Sequence, residues 1–294
     1  WSSDVCSSDL ASEFRYMPFF PEEDTVYIAI SQSGETADTL EAIRMVNKYN
    51  LKTLAVTNVS SSTMARECSG YVLSRCGPEI SVAATKSFTA QLSSLYYLAN
   101  LVAESKGLIS KDEVKKNIRE LEDVAVLLGE LLERYKLKVR ENAKKYCDIE
   151  RFIFLGRHIA YPFAMEAALK LKEISYIFAL GLPAGELKHG SIALIDKKTP
   201  VMMFSHPDEH IYKKVLSNAQ EIKARNGHIV SIVFEGQEEL CKLSNLVFEM
   251  PKVNGLLSTI AMSGIMQLFV YHIADELGCN IDKPRNLAKS VTVE

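Results

Sequence analysis

The chain has 294 residues, of which 47% are hydrophobic and 24% charged, and its formal net charge is −3. These values are typical of a globular protein with one large or two ordinary domains. The chain has no basic stripe, which argues against nucleic acid or an anionic membrane as a partner. Its longest apolar run, around Ile260 to Ile273, is interrupted by polar residues, so we predict no membrane span.

The cysteines and histidines show no metal-binding pattern. The six cysteines lack CxxC pairing, and the six histidines do not cluster with cysteines or acids as in zinc sites. A chain of this length does not need disulfides to fold. We therefore predict reduced thiols, a cytoplasmic protein, no metal site and no cofactor.

The first ten residues, WSSDVCSSDL, have neither the basic start nor the apolar centre of a signal peptide. They are polar, they repeat the tripeptide SSD, and they show no period that continues into the strands behind them. We interpret residues 1–10 as a foreign or disordered stretch outside the fold.

From residue 11 to residue 109, buried strands alternate with helices. The β-branched run from Thr25 to Ser31 predicts a strand that is buried on both faces. The helix after it has Leu40, Ile43 and Val46 on its inner side. Further strands are predicted over 51–58 and 71–74, with helices over 64–68 and 87–105. This alternation is typical of a parallel α/β sheet with right-handed crossovers.

The alternation restarts after a charged helical connector at 110–146. Strands are predicted over 151–155, 200–205, 228–234 and 246–249, and helices over 161–178, 209–225 and 256–277. Two lobes of similar size and order indicate an internal duplication. We therefore predict an α/β protein with two doubly wound parallel-sheet domains in tandem, at 11–109 and 147–281, followed by a C-terminal segment at 282–294. In such sheets the ligand binds at the carboxyl ends of the strands.

The loop after the first strand is Ser31-Gln32-Ser33-Gly34-Glu35-Thr36, and it opens a helix. Free backbone N–H groups at the positive end of a helix attract anions, and hydroxyl groups add donors. The loop is therefore a candidate phosphate site, with ordinary N-capping as the alternative. A similar hydroxyl-rich turn, Thr85-Lys86-Ser87, opens the long helix at 87–105.

The matching loop of the second lobe is Ser205-His206-Pro207-Asp208. It lacks the hydroxyl pair and the glycine of the first loop. We therefore predict that the second lobe has lost its phosphate site, so that the first lobe holds the anion and the second carries acid and base groups.

Those acid and base groups lie between residues 166 and 190. Glu166, Lys170 and Glu173 are spaced i, i+4 and i+7, which places them on one helix face. Burying such a face is costly, which favours a chemical role, with a structural ion-pair network as the alternative. His189 follows in a loop and is either functional or an ordinary loop histidine. Lys289, in the polar C-terminal segment, is either functional or a solvated tail lysine.

From residue 11 to its end, the chain resembles the isomerase half of the glutamine:fructose-6-phosphate amidotransferases, also called glucosamine-6-phosphate synthases. That half consists of two SIS (sugar isomerase) domains in tandem. The matching blocks are SQSGETADTL, ALKLKEISY, AGELKHG and DKPRNLAKSVTVE. The last two are highly specific, because most other SIS proteins end differently.

The resemblance implies roles for individual residues. Glu173 corresponds to the base that moves a proton between C1 and C2 of the sugar. His189 corresponds to a histidine that assists ring opening and is supplied by the neighbouring subunit, which implies a homodimer with a shared active site. Lys289 corresponds to the lysine that forms an imine with the keto-sugar. The family's sugar-phosphate loop corresponds to Ser31, Gln32, Ser33 and Thr36.

The remaining positions support these groups. By the same resemblance, Ala288 lies beside the imine lysine, and Glu166 and Lys170 correspond to polar groups behind the base. An imine also needs a lysine that is neutral part of the time, for which we expect a nearby cation such as Arg285 and a C-terminal lid that closes the site. Ala84 stands where the family often has a serine, so a ligand hydroxyl is absent there or only a backbone contact is used. The family's first lobe also begins with an additional strand, so we expect an open slot in the first sheet.

The glutaminase domain of the family has no counterpart here and is expected in the full-length protein. The resemblance thus implies a hexose 6-phosphate substrate and the use of free ammonia rather than glutamine. Two other functions stay open. A stand-alone SIS deaminase of glucosamine 6-phosphate normally lacks the DKPRNLAKSVTVE ending. A non-catalytic sugar-phosphate sensor needs the phosphate loop but not Glu173, His189 and Lys289 together.

Overall fold

The computed structural model describes residues 10–289. These residues divide into two compact units, one made of 10–108 with 288–289 and the other of Ile109–Leu287. The stretch predicted to be foreign, residues 1–10, lies outside the described residues except for Leu10, which is exposed.

The first unit contains a parallel sheet in the order β1-β2-β3. Its elements are α1 (Ala11–Phe14), β1 (Val26–Ile30), α2 (Ala37–Asn47), β2 (Lys52–Thr57), α3 (Thr63–Glu67), β3 (Gly70–Leu73) and α4 (Lys86–Ser105). Leu40 and Ile43 on α2 form a buried cluster with Ala55 and Met64. The predicted apolar stripe of α2 and the predicted α/β order are therefore confirmed.

Strand β1 is not buried on both faces, contrary to the sequence prediction. Val26, Ile28 and Ile30 are 51%, 46% and 44% exposed. Within residues 10–289, β1 pairs with β2 alone, so its other edge carries no strand. An apolar run predicts a strand but not its number of neighbours, which depends on the rest of the sheet. The unpaired edge of β1 agrees with the open slot in the first sheet that is expected from the resemblance.

The second unit contains a five-stranded parallel sheet in the order β5-β4-β6-β7-β8. Its elements are α5 (Lys111–Ala143), β4 (Arg151–Gly156), α6 (Ala160–Ser175), β5 (Phe178–Pro183), β6 (Val201–Phe204), α7 (Glu209–Lys223), β7 (Ile229–Phe234), α8 (Glu238–Leu243), β8 (Leu246–Met250) and α9 (Ser258–Glu276). All residues of β6 and β7 are buried because these strands have neighbours on both sides and helices over the faces.

Helix α9 forms the centre of the second unit. By length and composition the segment Gly255–Glu276 is apolar enough to cross a membrane. The polar residues within this segment, on which the prediction of no membrane span was based, do not by themselves exclude one. Most of this segment is buried inside the protein, where α9 packs along α5 and α6. Its apolar character is therefore that of a largely buried core helix, and only its C-terminal turns, with Tyr271, are exposed.

Strand β5 was not predicted, because the helix was extended to residue 178. The helix ends at Ser175, since Tyr176 adopts a left-handed conformation with φ of +64°. The Ser175 hydroxyl donates to the Leu171 carbonyl oxygen at 2.6 Å and accepts the Ile177 N–H at 3.3 Å, which replaces the helical pattern locally. The short helix α8 was also missed.

Candidate active site

The loop after β1 is closed by its own hydroxyl groups. Ser31 is buried, and its Oγ lies 2.8 Å from Thr36 Oγ1. The Gly34 N–H donates to Ser31 Oγ at 3.1 Å, and the Glu35 N–H donates to Ser33 Oγ at 3.2 Å. The Gln32 carbonyl oxygen accepts the Asn58 N–H at 3.1 Å. These bonds hold the four predicted phosphate-loop side chains in one compact turn at the end of β1.

Gly34 is required where it stands. Its φ is +67°, and a Cβ there would lie 2.3 Å from Ser62 Oγ and 2.9 Å from Thr57 Oγ1. Its carbonyl oxygen accepts the Met64 N–H at 3.1 Å. The loop is therefore pressed against the start of α3, and only a glycine fits both the conformation and the space.

Thr36 is the N-cap residue of α2, but no side chain forms a capping hydrogen bond there. Its hydroxyl is instead engaged with Ser31. The alternative of ordinary N-capping is therefore not supported. The Thr36 side chain thus leaves the first backbone N–H groups of α2 uncapped, an arrangement that suits a bound anion.

The second hydroxyl-rich turn already holds a carboxylate, and sequence reasoning missed it. Glu79, whose side chain is 3% exposed, accepts the Thr85 N–H at 2.8 Å, the Thr85 hydroxyl at 3.0 Å and the Ser87 hydroxyl. Burial by itself raises the pKa of Glu79, but the bonds from Ser87 and Thr85 and the charge of Lys289 outweigh it and lower the pKa. This turn is thus not a second anion site. Ala84, at its start, is partly buried.

Glu79 also contacts the predicted imine lysine. Lys289 Nζ lies 3.4 Å from Glu79 Oε2, and the lysine side chain is 29% exposed. Ala288 beside it is exposed. Lys289 is therefore not a free tail lysine. Within residues 10–289 the partner of its amine is a carboxylate rather than the cation expected from imine chemistry.

Arg285 has a different partner. Its guanidinium lies 4.1 Å from the centre of the Tyr176 ring, and the backbone N–H of Arg285 donates to the Tyr176 hydroxyl at 2.9 Å. Tyr176 is the left-handed residue that ends α6, so the start of the C-terminal segment is fastened to the helix that carries the acid and base groups. Residues 290–294 of the predicted lid lie outside the described residues.

The predicted stripe on α6 is confirmed as a cluster of charges. Lys170 Nζ lies 2.6 Å from Glu173 Oε2 and 3.5 Å from Glu166 Oε1. The side chain of Lys170 is 6% exposed, and those of Glu166 and Glu173 are 17% and 19% exposed. Burial raises the pKa of Glu166, and the nearby Lys170 opposes this increase only in part.

The position of this stripe follows from how α6 lies on the sheet. Gly181 on β5 faces Met165, and a Cβ at this position would lie 2.5 Å from the Met165 Cα. The helix therefore rests directly on β5, with Ala164, Ala167, Ala168 and Leu171 buried. Glu166 and Glu173 lie at the border of the buried face, which explains their partial exposure, while Lys170 between them is buried.

His189 follows the 3₁₀ turn Ala184–Lys188 after β5. Its ring is exposed, and the structure records no hydrogen bond from its side chain within residues 10–289. Gly190 has a φ of +122°, which turns the chain directly after it. His189 therefore lies in a loop, as predicted, and its role stays a prediction.

The profile of the SIS domain matches residues 1–101 and 145–274. Because this match covers more than half of the chain, the chain belongs to the SIS domain family, with two copies of the domain in tandem. This agrees with the repeated order of strands and helices in the two units.

Relatives within the family extend the comparison. The chain is 45% identical over 289 residues to the glutamine–fructose-6-phosphate aminotransferase [isomerizing] of Methanosarcina mazei, a match that covers 98% of this chain and 46% of that protein. The Thermus thermophilus aminotransferase of the same name is 45% identical over 286 residues. The chain thus spans about half the length of the curated relatives it matches.

Two solved structures compare as follows. The C-terminal domain of glucosamine-fructose-6-phosphate aminotransferase from Francisella tularensis is 36% identical with a TM-score of 0.90, covering 95% of this chain and 78% of that chain. The glucosamine-6-phosphate deaminase from Thermotoga maritima is 27% identical with a TM-score of 0.71, covering 96% of this chain and 80% of that chain. The aminotransferase is thus the more similar of the two.

Proposed function

We propose that this chain is the sugar-phosphate isomerase part of a glutamine–fructose-6-phosphate aminotransferase. In this role it converts fructose 6-phosphate to glucosamine 6-phosphate when ammonia is supplied. The observation that carries the proposal is the Glu173 carboxylate, held 2.6 Å from the buried ammonium group of Lys170. Such a carboxylate is fixed in position, yet it keeps enough exposure to reach a substrate. The names of the similar aminotransferases support the same reading.

The phosphate group of the sugar binds the loop of Ser31, Gln32, Ser33 and Thr36. The uncapped start of α2 supports this assignment, because its backbone N–H groups have no side-chain acceptor. The hydroxyl groups of the loop add donors whose directions are set by the bond between Ser31 and Thr36.

The chemistry then needs an amine and a base. Lys289 first leaves its ion pair with Glu79 and loses a proton, and its amine then attacks C2 of the open-chain ketose and expels water, which forms an imine. Ammonia replaces the lysine at C2 and releases its amine. Glu173 then removes a proton from C1 and returns it to C2, while the proton of the C1 hydroxyl moves to the imine nitrogen, which produces the 2-amino aldose. His189 moves the proton that opens the sugar ring. Glu166 and Lys170 hold the base, while Ala84, Ala288 and Arg285 border the sugar and the lid.

The finer assignments are part of the same proposal. The protein is a homodimer in which His189 enters the partner's site, and it works in the cytoplasm. Five described cysteines are free thiols, which agrees with a reducing compartment. A glutaminase domain supplies ammonia in the full-length protein, which agrees with the chain spanning 46% of its relative.

The test is to incubate the protein with fructose 6-phosphate and ammonium and to quantify glucosamine 6-phosphate. Glu173→Gln should lower the rate about 10²–10⁴-fold while sugar phosphate still binds. Glu133→Gln, at an exposed position on α5, is the matched control. Borohydride reduction in the presence of fructose 6-phosphate should add the sugar to Lys289, as read by peptide mass. Normal turnover by the Glu173 variant would overturn the assignment of the base.

A deaminase acting in reverse is the second candidate, supported by the likeness to the Thermotoga maritima enzyme. The lower identity and TM-score of that match make it the weaker reading. Incubating the protein with glucosamine 6-phosphate and measuring released ammonia separates the two. A sensor would bind sugar phosphate but form no borohydride-trapped adduct.

A further inference from the structure

The second unit has an unassigned cavity at the carboxyl ends of β4 and β6. These strands are neighbours, but β4 connects outward to β5 on one side and β6 connects to β7 on the other. Such a reversal opens a crevice, which is the usual ligand position in this kind of sheet. The cavity measures about 470 Å³, within the range of small-molecule sites. It is lined by His158, His206, Pro207, Asp208, Ile211 and residues 253–256.

His206 has an unused hydrogen-bonding atom in this wall. Its ring is 5% exposed, and its Nδ1 accepts the Asp208 N–H at 3.1 Å. The ring proton of the neutral form is therefore on Nε2. Within residues 10–289, Nε2 is buried and has no hydrogen-bond partner. Buried polar atoms in folded proteins nearly always have one, so a missing partner at this atom points to a ligand.

Two further features belong to the same wall. His158 comes two residues after β4, has a φ of +53°, and its ring centre lies 5.7 Å from that of His206. A left-handed conformation at a residue other than glycine is costly and is commonly kept at functional sites. Gly255 faces the ring edge of His206, because a Cβ there would lie 3.3 Å from Cε1 and 3.6 Å from Nε2.

The charges here exclude an anion. Asp208 caps α7 by accepting the Ile211 N–H at 3.0 Å, and this bond is the main cause of its lowered pKa. The start of α7 is thus occupied by a negative charge. Burial, and then the neighbouring His158, lower the pKa of His206 and keep the ring neutral. This is the opposite of the loop after β1, where the helix start is uncapped.

We propose that this cavity binds an uncharged sugar. One ring hydroxyl accepts the His206 Nε2–H, and others donate to the Asp208 carboxylate. The apolar face of the sugar lies on Ile211 and Leu256, the latter 60% exposed. Because Nε2 is buried behind Gly255, the sugar hydroxyl reaches it when the turn at Gly255 shifts aside. Gly255 has no side chain that would have to move with this turn. In this proposal the second lobe, which is predicted to have lost its phosphate site, binds a different class of ligand, an uncharged sugar. The site is independent of the proposed isomerase function.

The experiment is an NMR titration of the full chain carrying ¹³C-labelled histidine. The six histidines give few resonances, and single substitutions assign them. D-glucose should shift the Cε1–H signals of His206 and His158 in a saturable way and leave that of His189 unchanged. D-glucose 6-phosphate should act at least about tenfold more weakly at these two signals, because its phosphate is repelled by Asp208. Fructose 6-phosphate, read at the loop after β1, reports separately on the proposed isomerase.

Asp208→Asn tests the charge argument with an equally good N-cap residue. It should remove the difference between glucose and its phosphate ester at this site. His206→Phe keeps the ring shape and should abolish the shift at His158. If glucose produces no saturable shift, or if the phosphate ester binds better than glucose to the unsubstituted protein, the proposal is wrong. A shift that survives in the His206 variant would also overturn it.

Discussion

Glu79 and Lys289 are separated by 210 positions in the chain, yet Lys289 Nζ lies 3.4 Å from Glu79 Oε2. The same carboxylate accepts hydrogen bonds from Thr85 and Ser87 at the start of α4. The buried Glu79 carboxylate therefore holds in place both the first turn of α4 and the C-terminal segment at Lys289.

We expect Glu79→Gln to destabilise the first unit by about 1–3 kcal/mol, because the amide places donors against the N–H groups of Thr85 and Ser87. Lys289→Met removes only the partly exposed ion pair and should cost less than about 1 kcal/mol. Urea unfolding measures both. Equal losses in the two variants would show that the carboxylate acts through the lysine alone.

The effect of Glu79 should also depend on pH. Its pKa is lower in the folded protein than its ordinary value of 4.5. The carboxylate therefore stabilises the fold above pH 4.5, and this contribution is lost as the pH falls through the lower, folded-state pKa. The stability difference between the wild type and Glu79→Gln should shrink over that acidic range. A difference that stays constant there would contradict the hydrogen-bond assignment.

Gly34→Ala should disrupt the loop after β1. A left-handed alanine costs about 1–2 kcal/mol, and the clash with Ser62 adds to it, so we expect roughly 3 kcal/mol or more. Gly77→Ala is a matched control, because Gly77 has a φ of +70° with open space around it. Gly77→Ala should therefore lose only the free energy of holding an alanine in a left-handed conformation. Thermal unfolding and fructose 6-phosphate binding are the measurements, and similar losses in both variants would rule out the clash.

Lys170→Met should destabilise the second unit by about 3–5 kcal/mol, because two partly buried carboxylates lose their shared cation. The triple variant Glu166→Gln, Lys170→Met and Glu173→Gln removes all three charges and should recover most of that stability. Chemical unfolding compares the two. If the triple variant is no more stable than the single one, the loss comes from packing rather than charge.

The exposed side chains of β1 predict self-association. Ile28→Lys places a charge on the open strand and should reduce concentration-dependent association, with little loss of stability because Ile28 is 46% exposed. Val56→Lys on β2, where the side chain is fully buried, should unfold the unit instead. Light scattering over a concentration series measures association. Unchanged association in the Ile28 variant would show that this strand is not the contact.

Local patterns were enough to predict much of the site. The hydroxyl loop at Ser31–Thr36 and the stripe of Glu166, Lys170 and Glu173 depend on spacing within one element. Strand β5 was missed because Tyr176 ends α6 by a backbone conformation that its residue type does not favour. The role of Glu79 was missed because its donors are six to eight residues away and its cation is 210 away.

The sequence alone determined the order of most strands and helices, the tandem repeat and the hydroxyl-rich loop after β1, because hydrophobic periods and turn residues act over short distances. Only the tertiary structure decided which of two similar turns is already filled by a carboxylate. It also decided that, within residues 10–289, the buried Nε2 of His206 has no hydrogen-bond partner. These properties depend on which distant groups share a site, and burial and electrostatics at that site set the chemistry.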